Sequence, residues 1–188
     1  MRRIAGNARS LPFALLLALA AIASPASEVA GTLLRTTLIV EDMQRSLDFY
    51  ATLGFKPAQE ISGPRSPDSP FPVNARSRES RLIILASATQ QGSTIALLTF
   101  AKPAPRWTRR RERRVGIGDM VFVIGVEDAR AIHADLHAAG IKTVEEPFSF
   151  ISRTRTSDGR EQQGWVFHLY DPDGYLIEIF QPPRPIGD

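Results

Sequence analysis

The chain has 188 residues, with 23 basic and 20 acidic side chains and a formal net charge of +3. Hydrophobic residues make up 43% of it, enough for the core of one domain of ordinary size. It contains no cysteine, which excludes disulfide bonds, thiolate nucleophiles and cysteine metal sites.

The first 26 residues are predicted to be a secretory signal peptide. Three arginines precede the short apolar stretch Leu11–Ala23, and cleavage is expected after Ala23 or Ala26. An uncleaved membrane anchor is the alternative, although the stretch is shorter than the roughly 20 residues that a spanning helix needs. Removing residues 1–26 leaves 20 basic (23 minus 3) and 20 acidic side chains, so the formal net charge of the mature chain is close to zero. We therefore expect an exported protein, periplasmic if the source is Gram-negative.

A repeated pattern organises the rest of the chain. Val40-Glu41-Asp42 begins a stretch that ends at Gly54, and Val126-Glu127-Asp128 begins one that ends at Gly140, with the same spacing. Within each stretch, apolar residues recur at helical spacing between the aspartate and the glycine. Each copy predicts a helix with its aspartate as N-cap and its glycine at the C-terminal end.

Strand-like segments surround both helices and predict an α+β fold of two βαβββ modules. The domain is placed at residues 32–184, with module one at about 32–103, an Arg-rich linker at 104–118 and module two at about 119–184. In chain order, the predicted strands are Leu33–Val40, Leu82–Ala86, Thr94–Phe100, Met120–Val126, Lys142–Val144, Trp165–Tyr170 and Tyr175–Phe180.

Two segments between these elements are predicted to be irregular. Pro57–Ser80 holds five prolines and is predicted to be a long loop, either a lid or a solvated insert. Arg106–Arg114 holds six arginines and is interpreted as a solvated linker. No nucleic-acid motif accompanies it, so no nucleic-acid partner is expected.

The end of the chain predicts a β-hairpin that carries an isolated acid. Pro172-Asp173-Gly174 is a typical three-residue turn in which glycine supplies a left-handed residue. If Asp171 pairs with Tyr175 across this turn, His168 lies opposite Glu178, whereas a shift of one residue would separate them onto opposite faces. A carboxylate in an apolar strand is costly to bury unless it is paired or bound. His168 and Glu178 are therefore the candidate catalytic residues.

The segment from Val40 to Tyr50, VEDMQRSLDFY, is followed by Leu-Gly-Phe at residues 53–55. Together with Asp171-Pro172-Asp173-Gly174 and Glu178, it resembles the vicinal oxygen chelate family. That family includes glyoxalase I, extradiol dioxygenases, fosfomycin-resistance proteins and bleomycin-binding proteins. The resemblance covers about Leu33 to Pro183 and implies that the two modules pair into a barrel-like cup.

The resemblance also implies four metal-ligand positions, on the first and last strand of each module. Here they are filled by Arg35, Leu98, Val121 and Glu178. Only Glu178 can bind a divalent metal, because a guanidinium and two aliphatic side chains cannot. No cofactor is therefore expected, and a divalent metal held by other ligands stays open as an alternative.

Two interpretations of the cup wall remain open. In the first interpretation, Arg35 and Glu178 form a buried ion pair that His168 caps. In the other, Arg35 anchors an anionic substrate while Glu178 or His168 moves a proton. Val121 and Tyr170 are expected to line the substrate site in the second case.

The sequence favours an exported protein that binds a small molecule, anionic if Arg35 anchors it, without a bound metal. A metal-independent lyase or isomerase using His168 and Glu178 is the alternative, and a metal-dependent glyoxalase- or dioxygenase-type enzyme is a third. Self-association into a homodimer stays open as a further alternative. His133 and His137 lie four apart on the second helix and are expected to face solvent rather than a metal.

Overall fold

The computed structural model describes residues 33–65, 77–87, 94–105 and 115–186. They form two successive units of strand, helix and three strands. None of the helices in these ranges is long and apolar enough to cross a membrane. The first unit consists of β1 (Arg35–Ile39), α1 (Met43–Thr52), β2 (Phe55–Pro64), β3 (Glu79–Ser87) and β4 (Thr94–Phe100). The second consists of β5 (Val121–Gly125), α2 (Ala129–Ala138), β6 (Phe148–Ile151), β7 (Gln162–Tyr170) and β8 (Leu176–Pro185).

Each unit folds into its own four-stranded sheet. The strand order is β1-β4-β3-β2 in the first sheet and β5-β8-β7-β6 in the second. The pairs β1–β4 and β5–β8 are parallel, and the other neighbours are antiparallel. The predicted fold of two βαβββ modules forming a cup is confirmed, and the sheets are cup-like rather than closed into a barrel.

Both helices begin and end as the repeat predicts. The Asp42 carboxylate accepts a hydrogen bond from the backbone N–H of Arg45 at 3.1 Å, and Asp128 accepts two from the first turn of α2. Gly54 and Gly140 follow the helix ends with φ angles of 83° and 73°. This left-handed conformation is why glycine stands there.

The core lies between each sheet and its helix. Tyr50 of α1 and Leu136 of α2 are fully buried against the strands. Alternation along the strands leaves the opposite face of each sheet only partly covered. The buried strand residues include Leu38, Ile83, Leu85, Leu97, Phe167, Leu169, Ile177 and Ile179.

The predicted loop Pro57–Ser80 is wrong in its first part, where the structure has strand β2. This strand forms the outer edge of the first sheet, and most of its residues are exposed. Its register shifts between Pro57 and Gln59, and Pro64 is its last residue. An edge strand tolerates prolines because its outer side has no neighbouring strand, so no inter-strand hydrogen bond is lost there when the N–H group is missing.

The short strand predicted at Lys142–Val144 is also wrong. Only an isolated bridge between Thr143 and Leu169 forms there, and the edge strand is β6, further along the chain. His133 is mostly buried rather than solvent-facing, because its ring packs edge-on against Phe167 with centroids 5.2 Å apart. His137 is exposed as expected.

Three predictions lie outside the described residues. They are the signal peptide at residues 1–26, most of the remaining Pro57–Ser80 segment, and the Arg106–Arg114 linker. The export of the protein and the role of the linker therefore stay predictions.

Asp171, which precedes the β7–β8 turn, connects the second module to helix α1 of the first. Its Oδ2 accepts a hydrogen bond of 3.0 Å from the buried hydroxyl of Tyr50. Its Oδ1 accepts the backbone N–H groups of Asp173 and Tyr175 at 2.9 and 2.8 Å. Burial raises the pKa of Asp171 to about 6 and raises the pKa of Tyr50 well above its ordinary value.

Asp173 makes the second connection between the same elements. Its carboxylate accepts the backbone N–H of Glu41 at 3.0 Å and the buried hydroxyl of Ser46 at 3.1 Å. These contacts hold the β7–β8 turn against the N-terminal half of α1, and the turn sets the register of the hairpin that carries the candidate site.

Candidate functional site

The candidate site lies on the side of the second sheet that faces away from α2, called here the cup face. Neighbouring side chains on this face come from three adjacent strands. They are Val121 and Val123 on β5, Leu176, Glu178 and Phe180 on β8, and Val166, His168 and Tyr170 on β7.

The predicted hairpin register is confirmed. Asp171 N–H donates to the carbonyl of Tyr175 at 3.0 Å, and Gly174 has a φ of 89°. His168 therefore pairs with Glu178, and His168 Nε2 lies 3.3 Å from Glu178 Oε2. The two predicted catalytic residues lie side by side, in hydrogen-bonding contact across neighbouring strands.

Glu145 is a third member of the site that the sequence did not reveal. Its Oε1 lies 2.7 Å from His168 Nδ1 and accepts the backbone N–H of His168 at 2.8 Å. The neighbouring Val144 N–H donates to the His168 carbonyl at 2.8 Å, which lays this segment alongside β7. The strand predicted at Lys142–Val144 stops short of Glu145, so only the long-range pairing with β7 could have identified it.

The three side chains form a carboxylate–imidazole–carboxylate row that water partly reaches. The side chains of Glu145, His168 and Glu178 are 33%, 27% and 28% exposed. Neither carboxylate forms an ion pair with a lysine or arginine within the described ranges. Two carboxylates beside one imidazole give the row a formal negative charge.

Apolar and aromatic side chains flank this row. Tyr170 and Leu176 form the next pair on one side, and Val166 and Phe180 form the next pair on the other, each about 7 Å away. The ring of Phe180 stacks on Phe150 of β6, with centroids 5.6 Å apart. The cup face thus offers apolar surface around a charged centre.

Strand β5 leaves part of this apolar surface uncovered. Val121 is 43% exposed and Val123 is 59% exposed. Val121 lies in the same row as Leu176 and Tyr170, so both predicted substrate-lining residues share a face with His168 and Glu178. The structure brings these four predicted residues together, and their roles stay predictions.

Arg35 does not join them, and the predicted Arg35–Glu178 ion pair is wrong. Arg35 is exposed at the start of β1 and pairs by register with Thr94. Among the described residues, Glu178 contacts His168 instead, with Oε2 3.3 Å from Nε2. The guanidinium is exposed to water, and no described residue forms an ion pair with it.

The residues at the four ligand positions do not fit a metal. The pairing register places Ala96 rather than Leu98 at the first module's equivalent of Glu178, so that position remains aliphatic. Arg35 and Val121 offer no lone pair. Both ring nitrogens of the nearby His168 already contact carboxylates. Within the described ranges, no three His, Cys, Asp or Glu side chains have an arrangement that could hold a metal ion.

Two shallow depressions elsewhere do not include this row. One of about 320 Å³ lies where β2 and β4 end and β3 begins, and one of about 380 Å³ lies beside His133 and His137. In the second, His133 Nε2 lies 3.1 Å from the hydroxyl oxygen of Thr143. This contact connects α2 to the segment that carries Glu145.

Comparisons with known proteins agree with the fold. Residues 32–179 match the family model of the Glyoxalase/Bleomycin resistance protein/Dioxygenase superfamily. No curated protein matches the sequence significantly.

Similar solved structures include a glyoxalase family protein from Bacillus cereus. The two share 15% identity over 84% of this chain and 98% of that one, with a TM-score of 0.62. Glyoxalase I from Leishmania major shares 20% identity over 81% and 87% of the two chains, with a TM-score of 0.52. A glyoxalase I variant from Zea mays shares 18% identity over 80% of this chain and 44% of that one, with a TM-score of 0.53. At these identities the likeness shows the fold alone. Because the family model spans most of the sequence, the chain belongs to the Glyoxalase/Bleomycin resistance protein/Dioxygenase superfamily.

Proposed function

We propose that the protein binds a small molecule on the cup face of the second module without a bound metal. The observation that carries the proposal is the row of Glu145, His168 and Glu178 on a half-exposed apolar face. A few polar groups within an apolar surface are typical of small-molecule sites. The aliphatic and guanidinium side chains at the other ligand positions support binding without a metal.

The charge of the row favours a ligand that presents an ammonium or other hydrogen-bond donors. The anionic ligand expected from the sequence depended on Arg35, which lies outside the row. Carboxylate oxygens accept hydrogen bonds and attract cations. Tyr170 and Phe180 add aromatic faces on either side, which also favour a cationic group.

A thermal-shift series on chelator-treated protein tests this proposal. Benzylamine, benzyl alcohol and benzoate share one ring and differ in charge. We expect benzylamine to raise Tm by about 3 °C at ten times its Kd, because about 1.4 kcal/mol of binding energy is added to the native state. Benzoate should give no shift. Absence of a shift with all three probes, or a shift that requires added divalent metal, would refute metal-free binding of this kind.

A metal-independent lyase or isomerase is the second candidate, favoured by the contact between Glu145 and His168. A carboxylate that orients a histidine is the arrangement of many proton-transfer sites. Deuterium uptake from D2O into the α-carbon of phenylacetone tests it. The proton would leave carbon for His168 Nε2 and deuterium would return from the exchanged ring. Uptake that is lost in His168→Gln supports an enzyme, and no uptake above the solvent rate supports a binding protein.

A metal-dependent glyoxalase- or dioxygenase-type activity is the third candidate. It is supported by the similarity to solved structures named as a glyoxalase I and a glyoxalase family protein. Metal analysis of the purified protein tests it directly. Stoichiometric zinc, nickel, manganese or iron would favour this candidate over the first two.

We also propose that the mature protein is exported and forms a homodimer. The arginines and apolar stretch of residues 1–26 support export, which N-terminal sequencing from the native host would test. The exposed apolar side chains of Leu33 and Leu34, which precede β1, support self-association. Light scattering of the mature protein would test the dimer, and a monomer at high concentration would refute it.

A further inference from the structure

The position of Glu145 bears on the chemistry of His168, and the inference drawn from it rests on the proposed site. One oxygen of Glu145, Oε1, contacts both the backbone N–H and the ring Nδ1 of His168, at 2.8 and 2.7 Å. The two contacts fix the ring against its own backbone. They also turn the other ring nitrogen, Nε2, toward Glu178 at 3.3 Å.

The chemistry of this contact decides where the ring proton lies. An ionised carboxylate only accepts hydrogen bonds, and a carboxyl group is a stronger acid than an imidazolium. Carboxylates face both ring nitrogens, but the contact with Glu145 is the shorter, 2.7 Å against 3.3 Å, so the single proton of a neutral ring resides on Nδ1. A neutral histidine ring in water carries its proton mainly on Nε2, so the contact reverses the ordinary preference. The hydrogen bond made by one ring nitrogen sets the state of the other.

We infer that Glu145 is a positioning residue that holds His168 in the Nδ1–H tautomer and leaves Nε2 to exchange a proton at the cup face. Nε2 can take a proton from a donor group of a bound ligand or share one with Glu178. The longer distance to Glu178, 3.3 Å against 2.7 Å, marks Nε2 as the weaker and exchangeable contact. The same contact occupies Nδ1, which removes it as a metal ligand.

Nitrogen-15 NMR of the histidine rings tests the inference, because the shifts of Nδ1 and Nε2 report which of them carries the proton. The chain has three histidines, so His133→Gln and His137→Gln variants assign the His168 ring. The spectra are recorded at a pH high enough that all the rings are neutral. We expect the proton on Nδ1 in the unmodified protein and on Nε2 in Glu145→Ala.

Two further variants make the result specific. Glu145→Gln should keep the proton on Nδ1, because the His168 backbone N–H orients the amide oxygen toward the ring. Glu146→Ala removes an adjacent exposed acid that contacts His133 instead, and it should leave the His168 tautomer unchanged. A proton on Nε2 in the unmodified protein, or on Nδ1 in a folded Glu145→Ala variant, would overturn the inference.

The outcome separates this inference from the proposed function. The tautomer is read without any ligand, whereas the proposed function is tested by binding of benzylamine. Binding with the wrong tautomer would overturn only the role of Glu145. The Nδ1–H tautomer without binding would support the role of Glu145 and overturn the proposed ligand.

Discussion

Glu178 lies in a strand whose neighbours Ile177 and Ile179 are fully buried, yet its own side chain remains 28% exposed. Alternation along the strand places it on the cup face, where water reaches it and His168 lies beside it. A partly solvated carboxylate beside a polar neighbour is far less costly than one buried alone. The residue is tolerated in an apolar strand without the arginine partner that the sequence suggested.

Glu178→Gln should therefore lower the free energy of unfolding by less than about 1 kcal/mol, the range expected for a partly exposed pair. His168 keeps its shorter contact with Glu145 in this variant. Urea unfolding measures the difference. A loss of 3 kcal/mol or more would mean that the site is dry and that Glu178 stabilises the fold.

The raised pKa of Asp171 predicts how the free energy of unfolding depends on pH. Its pKa is about 6 in the folded state, against an ordinary value of 3.8, because burial disfavours the charge. Between these values the folded state holds a proton that the unfolded state has lost. The free energy of unfolding should therefore fall as pH rises from about 4 to about 6, by at most about 3 kcal/mol at 1.36 kcal/mol for each pKa unit.

Asp171→Asn removes this contribution, since asparagine does not titrate. The stability difference between the unmodified protein and the variant should shrink or change sign from pH 4 to pH 7, as measured by urea unfolding at several pH values. A difference that is constant across this range, or that grows in favour of the unmodified protein, would show that Asp171 titrates normally.

Strand β7 depends on a glycine where its pairing register with β8 shifts. A Cβ atom on Gly164 would lie 2.6 Å from the Phe150 ring and 2.8 Å from the carbonyl oxygen of Gln181. The register changes between Gln163 and Trp165, so Gly164 marks a bulge. The close approach brings Phe150 over the strand, where its ring stacks on Phe180.

Gly164→Ala should destabilise the protein by about 1–3 kcal/mol, because the Gln181 carbonyl belongs to the backbone and cannot turn aside. Gly125→Ala on β5 is the matched control, since nothing lies within 4 Å of the added atom. We expect the control to change stability by less than about 0.5 kcal/mol. Equal effects of both changes in thermal unfolding would contradict the close packing at Gly164.

Local chemistry predicts the elements of this chain unevenly. The caps at Asp42 and Asp128 and the turn after Asp171 follow from residues next to one another in sequence, and they are confirmed. Strand β2 was missed because it is largely exposed and shows no apolar alternation, and β6 because its four residues are too few to show a clear pattern. Glu145 was missed for a related reason, since a single bridge at Thr143 rather than a strand places it beside His168.

The two modules are joined by buried hydrogen bonds between α1 and the β7–β8 turn. The Tyr50 hydroxyl is fully buried and donates to Asp171, while its ring packs edge-on against Phe49 and Phe55. The same turn sets the pairing of His168 with Glu178. Loss of the contact should therefore weaken the fold and the geometry of the site together.

Tyr50→Phe keeps the ring contacts and removes only the hydroxyl, which leaves one oxygen of Asp171 without its side-chain donor. We expect a loss of about 1–3 kcal/mol in the free energy of unfolding. Tyr170→Phe is the control, since no partner is present for that hydroxyl among the described residues. Similar small losses in both variants would show that the Tyr50–Asp171 bond does not stabilise the joined modules.

At the scale of the molecule, the repeat predicted the fold but not the full composition of the site. The register of the hairpin turn correctly placed His168, Tyr170 and Glu178 on one face. The spacing of the repeat placed Val121 there as well. It failed for Arg35, because equivalence within the repeat does not make the guanidinium reach a carboxylate on the other sheet. A contact between sheets depends on how the modules close, which single-chain spacing does not encode.

The central claim is that the cup face of the second module binds a small molecule without a metal. The most direct measurement is a benzylamine titration of chelator-treated, nitrogen-15-labelled protein followed by amide NMR, at concentrations on the order of millimolar for so small a probe. We predict saturable shifts at Val123, His168 and Tyr170 that are absent in Glu178→Gln. Shifts that appear only after a divalent metal is added, or that are confined to the depression beside His137, would contradict the account.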